Sequence, residues 1–155
     1  MHPLHHVGYW VDDLDEAVDR AVRTLGVGPF LVHRNIRFLS FTLADGTEIT
    51  EPAWFDHTAA FASWGSIVLE LGVVHSADPW IIDAYRIRPG AVGHVSWVVD
   101  DLDAESARLR AAGDRLLYDE PRRGTSGSRI NFVHPRDAGG VLVELVEHPK
   151  GGSTS

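Results

Sequence analysis

The stretch HVGYWVDDLD at residues 6–15 recurs as HVSWVVDDLD at residues 94–103. Seven of the ten positions are identical, at a constant offset of 88 residues. A second echo lies downstream, where VLEL at residues 68–71 resembles LVEL at residues 142–145. Each half of the chain therefore begins with a segment headed by histidine and ends with an apolar segment that carries one glutamate. Such an internal repeat predicts two copies of one structural unit.

Each half is predicted to open with a strand and then a helix. The opening segments are short, rich in valine and aromatics, and bounded by turn residues, as strands are. An Asp-Asp pair follows each segment and favours a helix start, because carboxylates cap the free N–H groups of a first turn. Gly26 and Gly113 then act as helix stops. The strands are predicted at residues 4–11 and 93–99, and the helices at residues 14–25 and 102–112.

Three further strands are predicted in each half, which gives each half the order β-α-β-β-β. The fold class is therefore α+β, a single domain over residues 1–150 built from modules at about 4–74 and 93–147. Residues 75–89 join the modules, and residues 151–155 are expected to form a disordered tail. The further strands are predicted at residues 30–43, 58–64 and 66–74 in the first half, and at 115–118, 129–134 and 140–147 in the second.

Strand periodicity predicts that two histidines and two glutamates face the same space. Side chains alternate between the two faces of a strand, and the repeat gives His6 and His94 equivalent faces. Glu70 and Glu144 occupy equivalent positions in the closing strands of the two halves. The opposite face of the opening strands reads Val-Tyr-Val and Val-Trp-Val, which suits packing against a helix. The polar side chains are therefore expected to face away from the helices.

The neighbours of these positions fall into two groups. Gly8 and Ser96, one pleat along from the histidines, are small and are expected to leave room for a ligand. Trp10 shares the face of His6. Tyr9 and Trp97 lie on the helix-packing face and are assigned to the core. The other tryptophans fit either an apolar pocket or packing in the core or an oligomer contact: Trp54, Trp64 and Trp80.

The histidine and glutamate set predicts a site for one divalent metal ion. A charged glutamate in an apolar strand is costly to bury unless it is paired, protonated or bound to a cation. Imidazole and carboxylate are ordinary ligands of zinc, cobalt, nickel, manganese and iron, among which the sequence does not choose. The alternative is a partly solvated cluster in a polar cleft without metal. The predicted ligands are His6, Glu70, His94 and Glu144.

Composition narrows the possible partners. The formal charge of −8 argues against nucleic acid, which needs clustered Lys and Arg. Cysteine is absent, so a metal must be held by histidine and carboxylate. No apolar run reaches the length of a membrane helix and no signal segment opens the chain, so a cytoplasmic protein is expected. A solvated basic patch, or a site for a phosphate-bearing small molecule, is expected from Arg122, Arg123, Arg129 and Lys150.

The residues also carry a resemblance to a known family. HHVG at residues 5–8, FVHP at 132–135 and GGVLVEL at 139–145 resemble the vicinal oxygen chelate superfamily, and most of all its methylmalonyl-CoA epimerase branch. Glyoxalase I, extradiol dioxygenases and bleomycin-resistance proteins belong to the same superfamily. The resemblance covers residues 4–148 and implies paired βαβββ modules in an incomplete barrel around a metal, often as a homodimer. It implies the same four ligand positions: His6, Glu70, His94 and Glu144.

The chain departs from that branch in one region. The epimerase branch usually has a further acid, which serves as a base, on the strand before its second metal ligand. Here residues 51–58 read EPAWFDHT and offer no clear equivalent. The segment at residues 34–53 is also longer than the resemblance implies. We therefore expect a different mode of substrate recognition.

The site suggests a metal-dependent isomerase, epimerase or lyase that acts on a small oxygenated carbonyl compound through an enolate. A carboxylate removes the proton next to the carbonyl group, and Glu144 or Glu70 is expected to serve. Glu51, Asp56 and His57 are secondary candidates that also fit a surface loop, and His2 and His5 are expected to be solvated. Two other functions stay open: a non-haem iron dioxygenase, and a metal-free binding or resistance protein.

Overall fold

The fold is taken from a computed structural model that describes residues 1–38, 41–42, 47–49, 55–124 and 127–149. The predicted disordered tail and Lys150 lie outside these residues. No helix in the described ranges has both the length and the apolar character needed to cross a membrane.

The elements, in chain order, are β1 (Leu4–Trp10), α1 (Leu14–Leu25), β2 (Leu31–Phe38), β3 (Phe41–Thr42), β4 (Glu48–Ile49), β5 (Phe55–Trp64), β6 (Ile67–Ala77), α2 (Pro79–Ala84), β7 (Val92–Val98), α3 (Leu102–Ala112), β8 (Arg122–Arg123), β9 (Arg129–Val133) and β10 (Leu142–Glu147).

The repeat appears directly in the sheet. Eight strands form one mixed sheet in the order β2-β5-β6-β1-β7-β10-β9-β8. The opening strands β1 and β7 are antiparallel neighbours at its centre, and each pairs in parallel with the closing strand of its own half, β6 or β10. Read outward from the centre, both halves have the same strand order. The predicted α+β architecture of two paired βαβββ modules is confirmed, whereas the extent of the domain, residues 1–150, remains a prediction.

The two helices of the repeat have the predicted limits. Asp13 and Asp101 are the N-cap residues, and their carboxylates accept hydrogen bonds from Glu16 N and Ala104 N, each at 2.9 Å. Gly26 and Gly113 end the helices with φ of 65° and 94°, a left-handed conformation that suits glycine.

One predicted strand is wrong. Residues 115–118 form only an isolated bridge, between Leu116 and Val133, and the short strand β8 takes the equivalent place in the sheet. The cause is a buried side chain. Asn131 Oδ1 accepts a hydrogen bond from Tyr118 N at 3.1 Å, and Asn131 Nδ2 donates to Tyr118 O at 2.9 Å. These bonds satisfy the backbone of Tyr118 without a strand partner.

Two other boundaries also differ from the prediction. The strand predicted at residues 30–43 ends at Phe38, and Phe41–Thr42 pairs with Glu48–Ile49 in a separate two-stranded sheet. The joining segment at residues 75–89 contains the end of β6 and the helix α2. Pro79 is the first residue of α2, a position that proline favours because its missing N–H needs no partner there.

The apolar core lies on both faces of the sheet. One cluster packs beneath α1 and includes the partly buried Tyr9, and another packs beneath α3 and includes the partly buried Trp97, as predicted for both residues. A third cluster lies inside the curl of the sheet. There the ring of Phe38, on edge strand β2, lies 6.0 Å from the ring of Phe132 on β9. The sheet therefore curls far enough to enclose a space between its halves.

The helix caps give a test of the repeat. Replacing Asp13 or Asp101 with alanine is expected to lower the free energy of unfolding by about 1 kcal/mol in each case, because a first-turn N–H loses its acceptor. Urea unfolding followed by circular dichroism measures this. Asp12→Ala and Asp100→Ala are the matched controls, with an expected change below about 0.5 kcal/mol. Equal midpoints for all four variants would contradict the assignment of the caps.

Candidate metal centre

The four predicted ligands lie in two adjacent rows across the middle of the sheet. Strand register sets these rows, and each row combines a histidine from one half with a glutamate from the other. A small residue separates the histidine from the glutamate in each row. The first row reads Glu144, Ser96, His6, and the second reads His94, Gly8, Glu70.

The side chains of both rows meet at one point. The Nε2 atoms of His6 and His94 are 2.7 Å apart. Glu70 Oε2 lies 3.2 Å from His6 Nε2 and 3.1 Å from His94 Nε2. Glu144 Oε2 lies 3.1 Å from His6 Nε2. Neighbouring ligands that bind a cation at about 2.1 Å and at right angles are about 3 Å apart, so these separations match those around one ion.

Burial makes this arrangement costly without a cation. The four side chains belong to residues that are only 5% to 9% exposed. Glu144 Oε2 is within ion-pair distance of His6 but has no hydrogen bond among the described residues. A buried carboxylate oxygen that has only one polar contact gains from a further one. His6, His94 and Glu144 each offer one ligand atom within 4.8 Å of the others, and Glu70 touches both imidazoles. The donor set therefore fits a divalent cation, although its binding remains a prediction.

The charges of the cluster are strongly coupled. Burial by itself lowers the pKa of His6, but the carboxylates of Glu144 and Glu70 outweigh it and raise that pKa to about 9. Burial raises the pKa of Glu70, but the imidazoles of His94 and His6 outweigh it and hold that pKa well below its usual range. In the metal-free protein at neutral pH, His6 therefore carries a proton that a metal must displace.

His5 is not solvated as expected. It is half-buried, and its Nδ1 lies 2.6 Å from His6 Nδ1. Burial, with His6 and His148 nearby, lowers the pKa of His5 to about 4. A neutral His5 can accept the Nδ1 proton of His6, which leaves His6 Nε2 directed at the site. Such an outer partner fixes the orientation of a histidine ligand.

Gly8 serves a different purpose from the one expected. A Cβ atom at this position would lie 2.6 Å from Nδ1 of His94, well inside van der Waals contact. The space above Gly8 is therefore filled by the imidazole of His94, and it is not left for a ligand. Ser96, its counterpart in the other row, is fully buried.

A cavity of about 490 Å³ opens from the four side chains, and His57 lines it. The surface-loop expectation is wrong for His57, which belongs to β5 and is buried. Burial lowers the pKa of His57 to about 4, so its ring is neutral. Asp56 lies in the same strand and pairs with Arg37 at 3.0 Å. Glu51 and Trp54 lie outside the described residues.

Three other aromatic residues illustrate what the sequence left open. Trp10 lines the cavity, on the face of β1 that it shares with His6. Trp80 packs against the inner core. Trp64 is partly exposed beside α1, away from the cavity.

The expected basic patch divides in the structure. Arg122 and Arg123 line the cavity, and the guanidinium of Arg122 lies 4.4 Å from the ring centroid of Tyr118. Arg129 instead pairs with Asp103 at 2.6 Å and with Glu147 at 3.1 Å. Of the predicted patch, Arg122 and Arg123 therefore lie at the cavity.

Comparison with known proteins gives a consistent picture. The family described as the Glyoxalase/Bleomycin resistance protein/Dioxygenase superfamily matches residues 5–132. The mitochondrial methylmalonyl-CoA epimerase of Mus musculus is 41% identical over 143 residues, which cover 92% of this chain and 71% of the relative. The alignments with other curated relatives span less than two thirds of the relative's own length, from 33% to 65%.

Solved structures show the same fold over nearly the whole chain. The methylmalonyl-CoA epimerase of Mycobacterium tuberculosis has a TM-score of 0.66 and 35% identity, covering 95% of this chain and 89% of that one. A methylmalonyl-CoA epimerase in complex with methylmalonyl-CoA and NH4+ has a TM-score of 0.71 and 29% identity, covering 99% of both chains.

The ligand set can be tested one residue at a time. Glu70→Ala and Glu144→Ala are each expected to weaken Co²⁺ binding by at least about 100-fold, because loss of an outer partner alone costs about 10- to 100-fold. Isothermal titration of the chelator-treated protein with Co²⁺ measures this. Glu16→Ala, an exposed acid on α1, is the control and is expected to leave affinity unchanged. Unchanged affinity in either ligand variant would refute the four-ligand site.

The affinity for Co²⁺ is expected to increase with pH. Below the pKa of His6, about 9, the metal must displace one proton, so affinity should rise about tenfold per pH unit from pH 7 to 9 and level off above it. Titrations in buffers of different ionisation enthalpy count the released proton. A pH-independent affinity over this range would show that His6 is not a ligand.

Proposed function

The chain belongs to the glyoxalase/bleomycin resistance protein/dioxygenase superfamily, and on that premise we propose that it is a metal-dependent epimerase. Its proposed substrate is a 2-substituted malonyl thioester, whose C2 proton is removed on one face and returned on the other. One observation carries the proposal: two imidazoles and two carboxylates meet within 3.2 Å at the end of a large cavity. The similarity to methylmalonyl-CoA epimerases supports the reaction class.

One divalent cation is the proposed cofactor. The ligand-atom separations and the lone Glu144 oxygen fit such an ion, and zinc, cobalt, nickel, manganese and iron all accept this donor set. When bound, the cation supplies Lewis-acid stabilisation of the negative charge that develops on a substrate carbonyl oxygen. The residues proposed to hold it are His6, Glu70, His94 and Glu144.

Proton removal is assigned to a carboxylate of the same cluster. The C2–H bond breaks, its electrons move into the adjacent carbonyl group to give an enolate, and the proton passes to the carboxylate. Glu70 Oε2 is held by two imidazoles. Glu144 Oε2 has only the ion-pair contact with His6 and no hydrogen bond in the described part of the chain. Glu144 is therefore the preferred base and Glu70 the alternative.

Epimerisation also needs a proton carrier on the second face of the substrate. His57 lines the cavity from β5, in the half of the sheet opposite to the β10 strand that carries Glu144. It is neutral at physiological pH, because burial lowers its pKa to about 4. It also lies on the strand before Glu70, where the epimerase branch carries its further acid. We assign the second proton transfer to His57. Because its ring is neutral at rest, the C2 proton passes from the carboxylate through solvent to the imidazole of His57, and the imidazolium then donates it to the second face of the enolate.

The rim of the cavity supports a charged carrier on the substrate. Arg122 and Arg123 lie at the cavity on a chain whose overall charge is −8. Guanidinium groups bind phosphate well, which suits a thioester of coenzyme A. Assembly as a homodimer and a cytoplasmic location remain predictions from the sequence.

Three alternatives predict different behaviour. A lyase shares the first proton transfer but releases a fragment of the substrate. A non-haem iron dioxygenase needs open positions for oxygen and substrate, and a fourth protein ligand takes one of them. A metal-free binding protein does not require this cluster. Oxygen uptake with iron, or the lack of any metal-dependent thermal shift, would favour the second or the third alternative.

Proton exchange at C2 tests the proposal. In D₂O, the Co²⁺-loaded protein is expected to exchange the C2 proton of methylmalonyl-CoA for deuterium, as seen by proton NMR, and the chelator-treated protein is not. Glu144→Gln is expected to slow the exchange by about 10²- to 10⁴-fold, the usual contribution of a general base.

The second proton carrier is tested with His57→Asn. This variant is expected to slow the racemisation of one enantiomer far more than it slows C2 proton exchange of the other enantiomer. The reason is that each face of C2 depends on a different group. Glu16→Ala is the control. If neither enantiomer exchanges with any of the five metals, the epimerase proposal fails.

A further inference from the structure

The cavity has two chemically distinct ends. One end is the cluster of histidines and glutamates. The other, which we call the aromatic end, is walled by rings from both halves of the sheet, and every one of them lines the cavity. Its members are Trp10, Phe38, Phe55, His57, Tyr118 and Phe132.

Trp10 forms the floor between the two ends. It follows His6 and Gly8 on the same face of β1, and it is 8% exposed. Its indole lies over glycines on both neighbouring strands: a Cβ atom would lie 2.7 Å from the indole at Gly72 and 2.5 Å from it at Gly93. Glycines on both sides therefore let a flat ring lie against the sheet, next to the metal ligands.

Three of the rings, Phe38, Phe55 and His57, form a wall of nearly parallel planes. Phe38 stacks on His57 with ring centroids 5.7 Å apart, and Phe55 stacks on His57 at 4.7 Å. Trp10 meets Phe55 and His57 edge-on, at 5.3 and 5.8 Å. Rings arranged in this way favour the binding of a further flat ring, which would pack against them either offset-stacked or edge-on.

Two arginines near this end have partners of their own. The guanidinium of Arg122 lies 4.4 Å from the ring centroid of Tyr118, and Arg37 pairs with Asp56 at 3.0 Å. The ring of His57 is uncharged, as shown above. An apolar group gains from burial among these rings.

A methyl substituent is too small for this space. Sites of about 300–1,000 Å³ bury whole drug-sized ligands, and the cavity measures about 490 Å³. Apolar walls that face a gap lose their dispersion contacts. A substrate with a single methyl group at C2 makes fewer contacts with these rings than one that carries a larger apolar group.

We infer that the substrate carries a flat, apolar, aromatic ring attached to its metal-chelating dicarbonyl group and seated at the aromatic end. This inference rests on the proposed function for the identity of the chelating group. Phe38 and Trp10 are then the residues that determine specificity. Phe38 lies on the edge strand β2 and Trp10 on the central strand β1, so the ring is held between the edge and the floor of the sheet.

Binding of two simple probes tests this inference without turnover. Benzylmalonate and methylmalonate share one chelating head and differ only in the C2 substituent. Calorimetry with the Co²⁺-loaded protein is expected to give benzylmalonate a Kd about 10- to 100-fold lower, as expected for filling an apolar pocket. Equal dissociation constants, tighter binding of methylmalonate, or binding of neither probe would overturn the inference.

A matched pair of variants locates the effect. Phe38→Ala is expected to reduce the preference for benzylmalonate to less than about threefold, because the stacked wall is lost. Phe30→Ala removes the same atoms from the cluster beneath α1 and is expected to preserve the preference. Thermal unfolding establishes that both variants are folded. An unchanged preference in Phe38→Ala would place the ring elsewhere and overturn the assignment.

The result of the binding test can be told apart from the result of the C2 exchange assay. Exchange on methylmalonyl-CoA with no preference for benzylmalonate would leave the epimerase proposal standing and remove this inference. A clear preference for benzylmalonate without C2 exchange on either 2-methyl or 2-benzyl thioesters would support this inference and remove the epimerase proposal.

Discussion

The pairing of β1 with β7 is the constraint on which the rest of the structure depends. It is antiparallel and offset so that each histidine lies opposite a small residue of the other strand. The parallel pairs of β1 with β6 and of β7 with β10 then bring the two glutamates to the same face. A slip of one residue between β1 and β7 would turn the histidine and glutamate of one half to the helix-packing face. Register therefore determines whether the cluster exists.

The cluster in turn limits what the surrounding sheet can be. Two buried carboxylates and two imidazoles need compensation, since removing charges from water is costly. Much of it comes from their mutual contacts, and His5 adds a partner for His6 on its outer side. The Glu144 oxygen without a hydrogen bond is the part that these contacts do not satisfy. The divalent cation proposed above would supply the missing interaction, and the same cation would give the site its proposed chemistry.

The two halves share a scaffold but have diverged in what they place around the cluster. In the first half, a long β2 brings Phe38 over the cavity, whereas its counterpart β8 has only two residues and carries arginines. Trp10 has a valine, Val98, as its counterpart in the second half. The ligands have thus kept the symmetry of the repeat, while the cavity walls have not. This asymmetry gives the cavity a charged rim and an aromatic end.

The repeat by itself determined the α+β modules, both capped helices and the four side chains that meet, because period-2 alternation and N-cap chemistry are local properties of the chain. Tertiary structure alone decided three other features. Asn131 replaces a strand partner for the backbone of Tyr118, His5 turns inward to His6, and His57 becomes part of the cavity wall. The first and third depend on contacts between segments far apart in sequence or on the curl of the sheet, and His5 lies where the pairing of β1 with β7 is irregular. Strand periodicity carries no record of these features. The clustering of the four side chains could be predicted from the sequence, but the shape of the space they face is set by how far the sheet curls.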